Sequence, residues 1–283
     1  MIVCPGRAEV IALPPEFIMP QDGQAKQDGE RVADKRWMAK HAKHVAPYGV
    51  TLLGDDLYSN QPFCPLALRQ GFNFLFVCKP DSHAALYARL ALRQDTEAMH
   101  TVEKRRRGER FTEVTLYRYL TDVGLRGGKG ALAVNWLEIT VLHAKTGEQL
   151  YPNSFITNHP ITETNVADLA QAGRGRWKIE NENTNVLKTK GYHLEHNFGH
   201  GKRYLAAFLL SLNLLAFLFH TVLTWGDAPY AVIRRGLARR QTFFDDLRAL
   251  TRSMVFESWQ HLIDFMIKGL ELETALQENR DTS

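Results

Sequence analysis

The chain has 283 residues, 45% apolar and 23% charged, the proportions of an ordinary globular protein with room for one large domain or two small ones. A formal net charge of +4 and a pI near 8.9 permit nucleic-acid binding without demanding it. Three cysteines, Cys4, Cys64 and Cys78, with no Cys-x-x-Cys pair, argue against a disulfide framework or a cysteine zinc site and fit a reducing cytoplasm.

Residues 2–4 and 9–13 read as short strands joined at Pro5-Gly6, a hairpin signal. A helix is expected over 27–46, stopped by Pro47. A short apolar run, 50–54, suits a buried strand and ends at Asp55-Asp56. A helix over 61–70, closed by Gly71, leads to a second buried strand over 72–79. Strand, helix and strand with tight turns imply a parallel βαβ unit, and ligands of such sheets sit at the carboxyl ends of the strands, where Asp55 and Asp56 stand. One of the two is expected to cap the following turn. Cys64 and Cys78 fall in apolar runs and are expected in the core.

A helix over 81–94 is expected to be capped by Asp81 or Ser82. Residues 111–120, 131–143 and 149–157 alternate or are rich in β-formers. They predict an antiparallel sheet, contiguous with the α/β part or inserted into it. The basic run from Lys104 to Arg107 is expected to be a solvated loop able to meet a phosphate backbone. From 162 onward the pattern is helical: 162–172, 175–190, 202–224, 228–239, 241–252 and 255–278. Residues 204–223 are apolar over about the 20 residues a bilayer requires. Ser211, Asn213 and His220 interrupt them and no second span exists. A core helix packed on the sheet that carries Leu53 and Phe76 is expected, with no membrane partner; a membrane-associated helical protein would rest on this segment alone. The start, MIVCPGRAEV, lacks the basic lead and apolar region of a secretory signal.

Just before that apolar helix lies the polar segment 175–201. Arg176 and Glu180 are spaced i, i+4 and share a helix face, the pattern of a surface salt bridge. Glu182 points roughly 200° away from Glu180. His193, His196 and His200 are spaced x2 and then x3, and Gly191, Gly199 and Gly201 around them suggest loops rather than a helical zinc site; Trp177 is expected in the core. Arg234-Arg235 and Arg239-Arg240 are expected on solvated helix surface, with DNA contact open to them.

Asp55 at a strand end and Glu180 on a helix more than 120 residues later are carboxylates from separate elements, as a pair of hard Mg²⁺ ions needs. The stretch Arg176-Trp177-Lys178-Ile179-Glu180, followed by Lys188 and an apolar helix, resembles the glutamate motif of DDE transposases of the bacterial insertion-sequence-four type. Leu53-Gly54-Asp55-Asp56 resembles the second aspartate motif of that family. The resemblance covers roughly residues 1–225. It implies an α/β fold with a ribonuclease-H-like core and a β-rich insertion between second aspartate and glutamate. Core would then occupy 1–100 and 161–225, the insertion 101–160, and an all-helical part 226–283.

The resemblance further implies that Asp55 and Glu180 are the catalytic, metal-binding residues for two Mg²⁺, with Mn²⁺ as substitute. Arg176 and Lys188 would contact DNA phosphates, or Arg176 would orient Glu180. In the family signature, Tyr-x2-Arg-x3-Glu-x6-Lys, the tyrosine position is Gly173 here. The lysine position is Leu187, with Lys188 one residue late, a shift of about 100° on an α-helix. The family's first aspartate lies on the first core strand, which is expected ahead of Met1; Asp22, Asp28 and Asp34 fall in a loop and a helix. The expectation is therefore an amino-terminally truncated, cytoplasmic transposase. Its partners would be transposon-end and target DNA and a second copy of itself, and its chemistry strand cleavage and strand transfer, incomplete in this copy. The alternative is a non-catalytic DNA-binding remnant.

Overall fold

Pro5-Gly6 turns the chain back on itself, with Gly6 in the left-handed region at φ 79°. β1 (Ile2–Val3) pairs antiparallel with β2 (Val10–Ile11), shorter than the pattern predicts but in the expected hairpin. The computed structural model describes residues 1–18, 29–94, 96, 98–108, 111–196, 199, 204–237 and 239–281, with side chains to 277. Its contacts divide the chain into two compact units, one of Glu16–Arg176 and one of Met1–Pro15 with Trp177–Ser283.

In the unit Glu16–Arg176, α1 (Glu30–Val45) leads into β3 (Thr51–Gly54), α2 (Phe63–Arg69) and β4 (Asn73–Val77). β3 and β4 are parallel, in register from Thr51 opposite Asn73 to Gly54 opposite Phe76, so the βαβ expectation holds. α3 (Ala84–Arg93) follows a short 3-10 turn, Pro80–Ser82, that takes up the residues expected to cap it; His83 is the N-cap and makes no side-chain capping bond. Four antiparallel strands come next: β5 (His100–Arg107), β6 (Thr112–Gly124), β7 (Ala133–His143) and β8 (Gln149–Thr157). β8 pairs with β4, so one mixed sheet runs β3-β4-β8-β7-β6-β5, and the β-rich segment is contiguous with the α/β part. Lys104–Arg107 is an exposed edge strand, not a loop; its charges guard the sheet's open edge against pairing with other chains.

The period of two gives this sheet two apolar faces. Phe74, Phe76, Trp136 and Ile156 point to one and pack under α1, α2 and α3 through Met38, Ala67 and Leu86. Leu75, Leu137, Ile139 and Phe155 point to the other, under α4 (Val166–Arg174) through Val166 and Ala170. Cys64 and Cys78 are fully buried on the first face, as expected. Each large side chain removed from water here contributes about 1.5–3 kcal/mol.

The other unit is helical apart from its hairpin. A π-helical turn (Ile179–Thr184) runs into α5 (Asn185–Thr189), followed by α6 (Leu205–Gly226), α7 (Ala228–Gly236), α8 (Arg240–Ser253), α9 (Trp259–Gly269) and α10 (Glu273–Asp281). Asp227 and Ser258 cap α7 and α9 by accepting the N–H of Tyr230 and His261. The single helix expected over 255–278 is two, because the chain turns after Gly269 and holds Glu271 at φ 55°. Two clusters stabilise the unit. Tyr230, Ile233, Phe243 and Ile263 form one, and Val10, Leu187, Tyr192 and Phe217 the other.

α6 departs from expectation. Phe217 and Thr221 are buried, but Phe208 (59% exposed), Leu215 (59%) and Phe219 (56%) face outward. The helix is apolar all round yet covered on one side only. By length and composition alone it could cross a membrane.

Candidate metal and nucleic-acid site

β3 ends in a tightly built corner. A Cβ on Gly54 would lie 2.8 Å from the Tyr58 ring and 2.9 Å from that of Phe76, so only glycine fits there. Asp55 then turns out to the surface. Its Oδ1 accepts the Leu57 N–H at 2.9 Å, and Oδ2 has no hydrogen bond among the described residues. Asp55 is thus the residue that caps the following turn. Asp56 does something else: its Oδ1 accepts the Lys79 N–H at 2.6 Å and lies 3.4 Å from His83 Nε2. The His83 contact lacks hydrogen-bond geometry, and that nitrogen is buried without a partner. Asp56 therefore clamps the exit of β3 to the exit of β4, a structural task.

Two further carboxylates come to this corner from α1. Tyr58 donates its hydroxyl to Glu30 Oε1 at 2.7 Å and to Asp34 Oδ2. Burial holds Asp34 above the usual carboxylate range; the Tyr58 bond opposes that, while the charges of Glu30 and Asp55 reinforce it. Burial and the same two acceptors push the Tyr58 hydroxyl upward. The sequence left this grouping hidden, although Glu30 and Asp34 are spaced i, i+4 and so share a face of α1. Asp22 and Asp28 lie outside the described residues.

The glutamate segment is wound differently from expectation. The Asn185 N–H bonds to the Glu180 carbonyl, five residues back, as in a π-turn. Thr184 Oγ1 donates to the Ile179 carbonyl at 3.2 Å and Asn181 Nδ2 to the Trp177 carbonyl at 3.3 Å. Such polar side chains compete for main-chain acceptors and favour the wider turn. The 100° step of an α-helix therefore does not hold across Glu180. Seven α-helical steps turn about 700°; with one extra residue wound in, eight steps complete nearly the same two turns. Glu180 and Lys188 thus stand in the relation that seven residues give on a plain α-helix. Leu187, the residue at the unshifted lysine position, is 1% exposed in the core.

Glu180 and Lys188 are both exposed, and Lys188 Nζ lies 2.9 Å from Glu195 Oε1. Lys178 instead ties down the hairpin, donating to the carbonyls of Cys4 and Arg7. Trp177 is 47% exposed rather than in the core. Gly173, at the tyrosine position, is forced: a Cβ there would come within 2.6 Å of the Phe155 ring. Arg176 is half-buried just beyond α4, its N–H on the Gly173 carbonyl at 3.4 Å.

Asp55 and Arg176 belong to one compact unit, Glu180 and Lys188 to the other. Asp55 and Glu180 are both exposed residues, and carboxylate oxygens are the hard donors Mg²⁺ takes. Among the described residues no three His, Cys, Asp or Glu side chains gather as a metal-holding group. His193 and His196 flank a turn, the His196 N–H bonding to the His193 carbonyl at 2.9 Å, and His200 lies outside the described residues. No protein-family model matches the chain, and no curated protein matches it.

Proposed function

We propose that this chain is built for DDE-type DNA strand cleavage and strand transfer on a ribonuclease-H-like core, with the β5–β8 segment as the insertion between its second aspartate and its glutamate. The observation that carries the proposal is the widened turn at Glu180. It accounts for a lysine one residue late in the motif and leaves Glu180 and Lys188 exposed within one helical segment. The corner after β3 supports it, because Asp55 is turned outward while its neighbour Asp56 is consumed in holding the strands. In this proposal Asp55 and Glu180 hold Mg²⁺, or Mn²⁺ in its place. Arg176 and Lys188 contact DNA phosphates, and a second copy of the chain and a cytoplasmic setting go with the reaction. Bound metal would supply activation of the attacking oxygen and stabilisation of the leaving one.

Two-metal chemistry also needs a bridging carboxylate, which the resemblance places on a strand ahead of the βαβ unit. Among the described residues β1 and β2 carry no aspartate, and Asp34 lies on α1. The chain alone is therefore proposed to bind DNA but not to cut it. The test is electrophoretic binding to a transposon-end duplex over a salt series, with a cleavage assay in Mg²⁺ and Mn²⁺. Affinity should fall steeply with salt, Lys188→Gln should reduce the slope by about one, and no nick should appear. Nicking abolished by Glu180→Ala would show the site complete and would point to Asp34 as its third ligand. DNA affinity indifferent to salt would sink the proposal and its non-catalytic DNA-binding alternative together.

A further inference from the structure

Two half-buried arginines in the helical unit have no acid to balance them among the described residues. Arg234 on α7 lies over the Phe243 ring, its Cζ 5.6 Å from the ring centroid, and its Nη1 is buried without a hydrogen-bond partner. Arg240, the first residue of α8, has its Cζ 6.0 Å from the Tyr192 centroid and 5.8 Å from that of Phe217. Its Nη1 donates to Tyr192 Oη at 3.1 Å, and Tyr192 Oη lies 2.8 Å from His220 Nδ1. With His220 neutral, Tyr192 accepts from Arg240 and donates its own O–H to the imidazole Nδ1, which fixes the Arg240 fork.

Among the described residues neither arginine pairs with a carboxylate. The nearby acids are engaged: Asp227 caps α7, and Asp245 holds Arg248 and Gln241, each at 3.0 Å. No acid stands in the first turn of α8, so the positive end of that helix adds to the two guanidiniums. The group feels the excess. Arg234 is held below its ordinary value by burial and then by Arg240, and His220 is pushed down to about 4 by burial and then by Arg240 and Arg234. Half-burying two like charges is costly unless something opposite joins them. Both arginines are half-buried.

We propose that Arg234 and Arg240 form a binding site for a phosphate group, each guanidinium offering its planar fork to the anion's oxygens. The site stands on these residues alone and does not depend on the proposed strand chemistry. The phosphate could be that of a small phosphorylated molecule or of a nucleic-acid backbone.

The test uses the full chain with labelled histidine, read by NMR at neutral pH. Sodium phosphate is titrated against sodium chloride at matched ionic strength. The expected result is a saturable shift of the His220 signals with phosphate and none with chloride. Arg234→Gln and Arg240→Gln should each weaken phosphate binding about tenfold or more, the loss of a charge-assisted bond, while Arg234→Lys retains part of it. Competition then names the source. A short duplex that displaces inorganic phosphate from His220 assigns a backbone phosphate, and a duplex that leaves the signal unchanged assigns a small phosphorylated ligand. Equal responses to phosphate and chloride in the unaltered protein would overturn the proposal whatever the variants do, as would full phosphate affinity in a folded Arg234→Gln protein.

Discussion

Asp55 and Asp56 are neighbours in sequence with opposite tasks, and the difference is measurable. The Asp56 carboxylate accepts the Lys79 N–H at 2.6 Å with its side chain only 19% exposed. A hydrogen bond to a charged group contributes about 1.5–3 kcal/mol, and partial exposure favours the lower half of that range. Asp56→Ala should therefore cost about 2 kcal/mol and lower the melting temperature of this unit by roughly 4–8 °C. Asp55→Asn keeps Oδ1 as the acceptor for the Leu57 N–H, so its cost should stay within about 0.5 kcal/mol. Divalent-metal affinity should respond the other way, lost in Asp55→Asn and retained in a folded Asp56→Ala protein. Thermal melts, with hydrogen exchange of the β4 amides to isolate this unit, give the stabilities. Calorimetric titration with Mn²⁺ gives the affinities. Equal destabilisation by the two changes, or metal binding that survives Asp55→Asn, would refute the division of labour.

Other consequences follow from the same geometry. Gly54→Ala forces the rings of Tyr58 and Phe76 apart and should cost about 1–3 kcal/mol in a denaturant melt. On α6, Phe217→Ala should cost about 3–5 kcal/mol, whereas Leu215→Lys on the opposite face should change stability by under about 1 kcal/mol and lower the binding of a hydrophobic dye. The native state holds the Asp34 proton more tightly than the unfolded chain does. Its contribution is therefore lost stability as pH rises from the ordinary value of 3.8 through the raised native one. Asp34→Asn should stabilise the protein at neutral pH, with an advantage that vanishes in melts below pH 3.8.

Much of the fold was legible because its signals are local. The apolar runs around Leu52 and Phe74, the Pro5-Gly6 turn and the alternation through Trp136 and Phe155 each dictate their own element. Charge misled at Lys104–Arg107, where solvation suits an edge strand as well as a loop. Apolarity misled on α6, because hydrophobicity on every face does not say which faces are covered. The segment around Glu180 was read with α-helical spacing, and nothing in Asn181 to Thr184 announces a π-turn except a density of polar side chains that compete for the backbone. The association of Tyr58 with Glu30 and Asp34 spans more than 20 residues, beyond any periodicity. Arg234 was expected on the surface because Arg usually lies there; its burial depends on Phe243 arriving from the next helix.

We propose Asp55 and Glu180 as metal ligands. Paramagnetic broadening by substoichiometric Mn²⁺ tests this directly in the isotope-labelled chain. The expected result is broadening of the amide signals around Asp55 and around Glu180, relieved around Asp55 by Asp55→Asn and around Glu180 by Glu180→Gln. Broadening that leaves either residue untouched, or that persists around a residue whose own carboxylate has been replaced, would contradict the proposal.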